Sequence, residues 1–295
     1  MRLRVLLMLV CAWPGVLRAE SNIGLVTIVD GEVFVTRGSV RFVLAEGVRI
    51  AADDIVESAA QAQLARIEFS DGVVLDIGPA TRVLMTPKFA SERGGARAAK
   101  VYLLRGWAKI TAPQAKGAAT VSFACESFDV SGIARDVVLN VEPNVAAAFA
   151  ESGDLMLAER GKGKAALAVK LKAGEFLMRT GEAKAVLAQR PAADFIQRVP
   201  RPFLDTLPTR SALFAAREVA PKRLGPITYA DVQAWIDAEA GLRPLFVTRW
   251  KALAQAPDFR KPLAANLRAH PEWDRVLYPE KYLPKTPASA ASSYR

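Results

Sequence analysis

The sequence predicts a mainly β protein: a β-solenoid or sandwich domain of many short strands, followed by a small α-helical unit near the C-terminal end. Three observations predict it. Residues 24–81 alternate apolar and other residues with period two and are cut by Gly and Asp at near-regular intervals. Residues 190–226 carry Pro191, Pro200, Pro202, Pro208, Pro221 and Pro226, which break regular structure. From residue 227 the apolar spacing changes to that of amphipathic helices.

The β region comes first. Val26 and Ile28, then Val33 and Val35, flank Asp30-Gly31, and two apolar runs around Asp-Gly are a strong hairpin signal. Val40 to Leu44 leads to Glu46-Gly47. Val48 and Ile50 follow, then a turn at Asp53-Asp54 and the pair Ile55-Val56. Leu64, Ile67 and Phe69 run into Ser70-Asp71-Gly72, after which Val73, Leu75 and Ile77 alternate up to Gly78-Pro79. Strands of about five residues, with turns roughly every 8–12, indicate a sandwich, barrel or solenoid.

These residues also resemble the FecR domain, a periplasmic module. Gly31-Glu32-Val33 with Val35 matches its Gly-x-Val-x-Val strand. Leu44 with Gly47, Ile50, Asp53-Asp54 and Val56 matches its Leu-x-x-Gly-x-x-Ile turn and following Asp. Phe69-Ser70-Asp71-Gly72 with Leu75 matches its Asp-Gly-Ser hairpin, with Val73 in place of Ser. Leu104-Arg105-Gly106-Trp107 with Ile110 is similar to the second Leu-x-x-Gly strand, and Glu151 to Leu155 to a late Gly-centred turn. Phe128 to Gly132 stands where the family has a Gly-Thr pair, with Ile133 replacing Thr. The resemblance covers 24–185 and implies a β-solenoid-like fold and a docking task.

Family regulators pass a signal from an outer-membrane receptor to a sigma factor. That role needs a cytoplasmic sigma-binding helical domain and a membrane span, and neither is visible here. The family's C-terminal receptor-contacting domain is not recognisable either; the helical unit takes its place. Sigma regulation is therefore not the expectation.

Beyond residue 81, Ser91 to Arg97 reads as a loop, Val101 to Ile110 as a strand, and Pro113 to Gly117 as a loop. Strands are predicted at 119–124, 126–130, 136–141, 146–150, 154–158, 166–171 and 175–179. Gly153-Asp154 and Gly161-Lys162-Gly163 mark turns. The Ala-rich run from Asn144 to Ala150 has helical propensity, but its neighbours are strands and it is read as one. The Pro-rich stretch keeps Phe195, Phe203 and Leu204, so it reads as an ordered strap lying on the β unit.

In the helical unit, Thr228 and Asp231 have the spacing of an N-cap and an acid at N3. Val232, Trp235 and Ile236 fall on one face, and Gly241 is a natural stop. Pro244 opens a second helix bearing Phe246, Val247, Trp250 and Leu253, and Pro257 a third bearing Leu263 and Leu267. His270 to Trp273 starts a fourth short turn, with Val276, Leu277 and Tyr278 facing inward. Trp235, Trp250 and Trp273 are expected to share one small core.

The start of the chain reads as a secretory signal peptide. Arg2 and Arg4 form a basic n-region and Val5 to Trp13 an apolar h-region, with cleavage expected between Ala19 and Glu20. The run is shorter than the roughly 20 apolar residues a membrane span needs, and Pro14 breaks it. The expected location is the periplasm, with no transmembrane span in the mature protein. The expected organisation is signal peptide 1–19, FecR-like β domain 20–190, Pro-rich strap 191–226, helical unit 227–284 and flexible tail 285–295.

Removing residues 1–19 takes away three Arg and no acid, so the formal net charge falls from +10 to +7. No dense Lys/Arg run with interleaved aromatics is present, which excludes a nucleic-acid surface as the expectation. Of the two cysteines, Cys11 lies in the leader, leaving Cys125 without an internal disulfide partner. Cys125 shares a strand face with Phe123 and reads as a small buried hydrophobe.

The single histidine, His270, is the only base a Ser-His-Asp or Cys-His site could use. It precedes Pro271 at a predicted helix start, where helix-capping or surface duty is commoner. One His and one mature Cys do not supply a zinc site. Asp53, Asp54 and Asp71 are explained by turn chemistry, and Gly161 to Lys164 lacks Walker spacing. No catalytic, metal or cofactor residue is expected, and no cofactor. The expectation is a non-enzymatic envelope protein that binds a protein partner or acts as a scaffold or signalling module. The alternative is peptidoglycan binding, for which positive charge and exposed aromatics such as Trp107 would be the footprint. An envelope hydrolase is the third reading.

Overall fold

The computed structural model describes residues 22–89, 99–113, 121–160 and 168–283. The expected leader with its expected Ala19/Glu20 cleavage point, the loops expected at 91–97 and after Pro113, the turn expected at Gly161 to Gly163 and the expected tail from Thr286 lie outside the described residues. The molecule is mainly β, with short antiparallel strands in one curled sheet and a few helices near the C-terminal end.

The strands are β1 (Asn22–Asp30), β2 (Val33–Arg37), β3 (Val40–Val43), β4 (Arg49–Ala51), β5 (Ile55–Ser58) and β6 (Leu64–Phe69). Next come β7 (Val74–Ile77), β8 (Arg82–Met85), β9 (Val101–Thr111), β10 (Phe123–Ala124), β11 (Phe128–Ser131) and β12 (Asp136–Glu142). The last six are β13 (Val145–Ser152), β14 (Leu155–Glu159), β15 (Ala168–Leu171), β16 (Phe176–Thr180), β17 (Val186–Ala188) and β18 (Lys222–Pro226). The helices are α1 (Ala193–Arg198), α2 (Tyr229–Ile236), α3 (Arg243–Trp250), α4 (Pro257–Ala265) and α5 (Asp274–Leu277). The Ala-rich run is strand β13, paired on both sides with β12 and β16.

The sheet folds into two walls. The first has the order β4-β1-β6-β7-β9-β12-β13-β16-β17. The second has the order β18-β3-β2-β5-β8-β9-β10-β11-β14-β15. All neighbours are antiparallel except β9 and β10. Alternation dictates the core: Ile67, Leu75, Ile110, Leu139 and Ala148 point inward from the first wall, against Val35, Val56, Val83, Leu103 and Leu157 of the second.

Strand β9 belongs to both walls. Its first half pairs with β8 in the second, its last half with β7 and β12 in the first. The inward positions slip from Val101 and Leu103 to Ala108 and Ile110, so the alternation shifts by one between them. Gly106 sits at that shift with φ +100°, and a Cβ there would lie 2.4 Å from Thr81 Oγ1 and 2.5 Å from Thr81 Cα. Thr81 Oγ1 accepts from the Trp107 N–H at 2.9 Å. Only Gly meets both the torsion and the approach.

Each outer face is covered. Over the first wall, Phe195 and Val199 of the α1 region and Phe203 pack on Leu64, Trp107, Val138 and Phe176. The chain then crosses Arg66, Glu68 and Lys109 before joining the second wall as β18. Over the second wall lie α2 to α5. Trp235, Phe246, Trp250 and Trp273 share one apolar cluster with Ile55, Leu84, Tyr102 and Ala124 of the sheet. The three tryptophans thus share one core, which residues of the sheet complete.

Helix α2 starts with a full capping box at Thr228 and Asp231. It ends at Ile236, earlier than Gly241, which lies in the turn before α3. Pro244 and Pro257 stand in the first turns of α3 and α4. No helix among the described residues is long and apolar enough to cross a membrane.

Candidate functional site

Residues nominated by sequence sit apart. Cys125 is buried in the core between the walls. His270 neither lies at the surface nor caps the turn with its side chain: it is fully buried in the helical unit, its Nδ1 3.0 Å from Asp237 Oδ1 and its ring beside Tyr229. The fold therefore does not bring these two groups together. Asp54 is buried and takes Arg37 in two hydrogen bonds, at 3.0 and 2.7 Å, and Asp53 pairs with Lys88 at 2.8 Å. Asp71 pairs with Lys100 and accepts from the Val73 N–H, as its turn requires. Among the described residues no cluster of three or more His, Cys, Asp or Glu side chains could hold a metal ion.

Trp107 corrects the expectation of an exposed aromatic. It is 9 % exposed, with its ring 5.3 Å from that of Phe195. Trp107 points outward from the first wall, but α1 and the chain that follows lie over it. The alternation of a strand tells which wall face a residue occupies; it does not tell which distant segment covers that face.

Charged groups converge at the seam between the second wall and α2. Glu57 of β5 accepts from the Trp235 indole N–H at 3.1 Å and faces Arg82 at 3.3 Å and Arg41 at 3.7 Å. Burial raises its carboxyl above the usual carboxylate range, against the lowering pull of Arg82, Trp235 and Arg41. Burial also opposes ionisation of Asp231, but the Thr228 N–H and hydroxyl and Arg41 outweigh it and hold that carboxyl low. Beside them opens a groove of about 380 Å³ lined by Phe34, Arg41, Leu224, Gly225, Pro226 and Asp231. Its charged residues are engaged with one another: Arg41 pairs with Asp231 and stacks on Phe34, its guanidinium 4.2 Å from the ring centroid. This arrangement fastens a helix to a sheet.

The sheet edges are the more informative surface. Among the described residues the walls end on four strands paired on one side only: β4, β17, β18 and β15. An edge strand offers unpaired main-chain groups to another chain, and proteins guard such edges with charge, Pro, bulges or brevity. Strand β18 has Lys222, a register shift and Pro226. Strand β15 carries Lys170, and β4 is three residues long with Ile50 and Ala51 buried. Strand β17, the segment Val-Leu-Ala, has brevity alone and neither charge nor Pro. Val186 is 65 % and Leu187 48 % exposed, and Met178 lies opposite Val186, also exposed. Strand β17 is not legible in the sequence, because three residues are too few to show an alternation.

No family model matches the chain, and no curated protein matches it. Among solved structures, two crystal structures of a "putative anti-sigma factor" from Parabacteroides distasonis, at 2.50 and 1.65 Å resolution, are similar to it. Each has 11 % identity and a TM-score of 0.37, over 48 % of this chain and 62 % of the other. The chain thus spans under two thirds of the length of those structures.

Proposed function

We propose that this chain is a non-enzymatic protein of the periplasm, exported by residues 1–19 and cleaved between Ala19 and Glu20, that docks a protein partner of the cell envelope. The observation that carries the reading is the edge at β17, which has neither charge nor Pro and exposes apolar side chains. An extended segment of a partner adds there as a further strand of the first wall, with Val186, Leu187 and Met178 as its apolar contacts. The burial of His270 and Cys125 in separate cores supports the non-enzymatic part. Peptidoglycan binding, expected from positive charge and exposed aromatics such as Trp107, loses that example, since the Trp107 ring is covered.

The test is in-cell photo-crosslinking from position 186. One discrete captured species is expected, and it should vanish when Leu187→Lys is added to a chain whose unfolding midpoint is unchanged. A captured second copy of this chain would replace the partner with self-association. No capture at 186, or capture indifferent to Leu187→Lys, would remove the reading. Recovery of the protein from the cytoplasm with residue 1 still present would remove the localisation.

A further inference from the structure

The two walls end differently at their two sides. At the end marked by β4 and β18, the chain that covers the first wall also closes the core. Val219 forms a parallel main-chain bridge to Val48, packs on the apolar cluster between the walls and lies with buried Phe214 against Gly47. At the opposite end, marked by β15 and β17, no segment among the described residues does the same. Leu177 of β16 is buried there, while Leu187, opposite Leu177 on β17, is 48 % exposed.

Charge at this open end is not balanced. Its carboxylates are engaged close by. Glu159 accepts from the Ala185 N–H at 3.0 Å and Glu175 from the Lys172 N–H at 2.8 Å. Asp154 pairs with Lys170 at 2.8 Å, and Glu182 is engaged as well. Lys184 and Arg190 are exposed, and neither has a carboxylate partner among the described residues. They stand symmetrically, each two residues beyond one end of Val186–Ala188. An exposed apolar strand is thus bracketed by two unpaired cations.

That bracket discriminates between occupants. In an antiparallel pairing of two copies centred on Leu187, each Lys184 falls opposite the other copy's Arg190. Like charges directly opposite one another are destabilising, and opposite charges in the same places are stabilising. The cations therefore guard the edge against a second copy in that register and favour a strand that brings acids to the same positions. We infer that the segment docked at β17 is an extended stretch of a partner with acidic flanks. Its apolar residues lie opposite Val186, Leu187 and Ala188, and an Asp or Glu lies opposite Lys184 and another opposite Arg190. The inference rests on the β17 docking proposed above and adds its selectivity. The bracket also fixes register, since a slip by one residue turns the apolar side chains to the other face and takes the acids away from the cations.

The test is fluorescence anisotropy on the full chain at low salt. Three labelled peptides share a Thr-Val-Leu-Val-Thr centre and carry Glu, Ser or Lys at both ends. The Glu-flanked peptide should bind about fivefold more tightly than the Ser-flanked one, and the Lys-flanked one more weakly still. Added salt should narrow the differences. Lys184→Glu combined with Arg190→Glu should invert the order, at an unchanged unfolding midpoint because both side chains are exposed. Leu187→Lys should remove binding of all three. Equal binding of the Glu- and Ser-flanked peptides, lost on Leu187→Lys, would overturn the acidic preference and leave the docking edge standing. No binding of any peptide, or binding indifferent to Leu187→Lys, would overturn both. A native chain that sediments as a dimer, and as a monomer after Leu187→Lys, would put a second copy in the partner's place.

Discussion

At the scale of single residues, Gly106 and two carboxylates make the sharpest claims. Gly106→Val asks a β-branched side chain to adopt φ +100° and to overlap Thr81. The strain and the lost crossing of β9 should destabilise the fold by at least ~3 kcal/mol in urea unfolding. Glu57 and Glu68 should titrate in opposite senses. The folded pKa of Glu57 lies above the ordinary carboxylate value, so its contribution is present below the unfolded pKa and is lost as pH rises through the folded one. That of Glu68, held against its burial by the Arg210 and Ser211 N–H groups, lies below the ordinary value, so its contribution is present above the unfolded pKa and is lost as pH falls through the folded one. Comparing each Glu→Gln variant with the native chain across pH 3–7 should show the stability differences sloping in opposite directions; parallel slopes would refute the assignment. Of these residues, the Asp-Gly and Thr-x-x-Asp turn and cap positions were legible in sequence because their chemistry is local. The partners of Arg66, Glu68 and Trp107 were not, since they arrive from about residue 195 onward.

Elements show the same division. Much of β1 to β7 follows the written alternation, with Val33 and Val35, Ile67 and Phe69, and Leu75 and Ile77 facing the opposite wall; β8 (Arg82–Met85) falls in no strand that the sequence predicts. Strand β18, Lys-Arg-Leu-Gly-Pro, has no such pattern; it is a strand because β3, some 180 residues earlier, offers an edge. Helix α2 is announced by its capping box, and Thr228→Ala should cost about 1 kcal/mol, read as a shift in the denaturant midpoint at constant m. Its C-terminal end was less legible, since the chain turns after Ile236 to bring α3 onto the β2–β3 hairpin. There Trp250 Nε1 donates to the Gly38 carbonyl at 3.0 Å and Arg249 to that of Thr36 at 2.9 Å.

For the whole molecule, the order is covering chain, first wall, core, second wall and helices. The helical segment reads in sequence as a unit with its own tryptophan core. In the structure that core is completed by Ile55, Leu84, Tyr102 and Ala124, so the helices and the sheet depend on one another. A chain ended after residue 226 would leave those four sheet residues facing water. It should lose the single cooperative transition of the full chain and aggregate on concentration, as seen by differential scanning calorimetry and light scattering. A truncated chain that stays monomeric with an unchanged midpoint would contradict the shared core.

Strand β9 has a mechanical corollary. Because one length of backbone is stitched into both walls, they have no slip plane between them: sliding one past the other would require tearing hydrogen bonds on both sides of Gly106 at once. A tug applied at the far rim of the sheet is then borne by the molecule as by a girder, and it reaches the helices on the opposite side with little lost to internal creep.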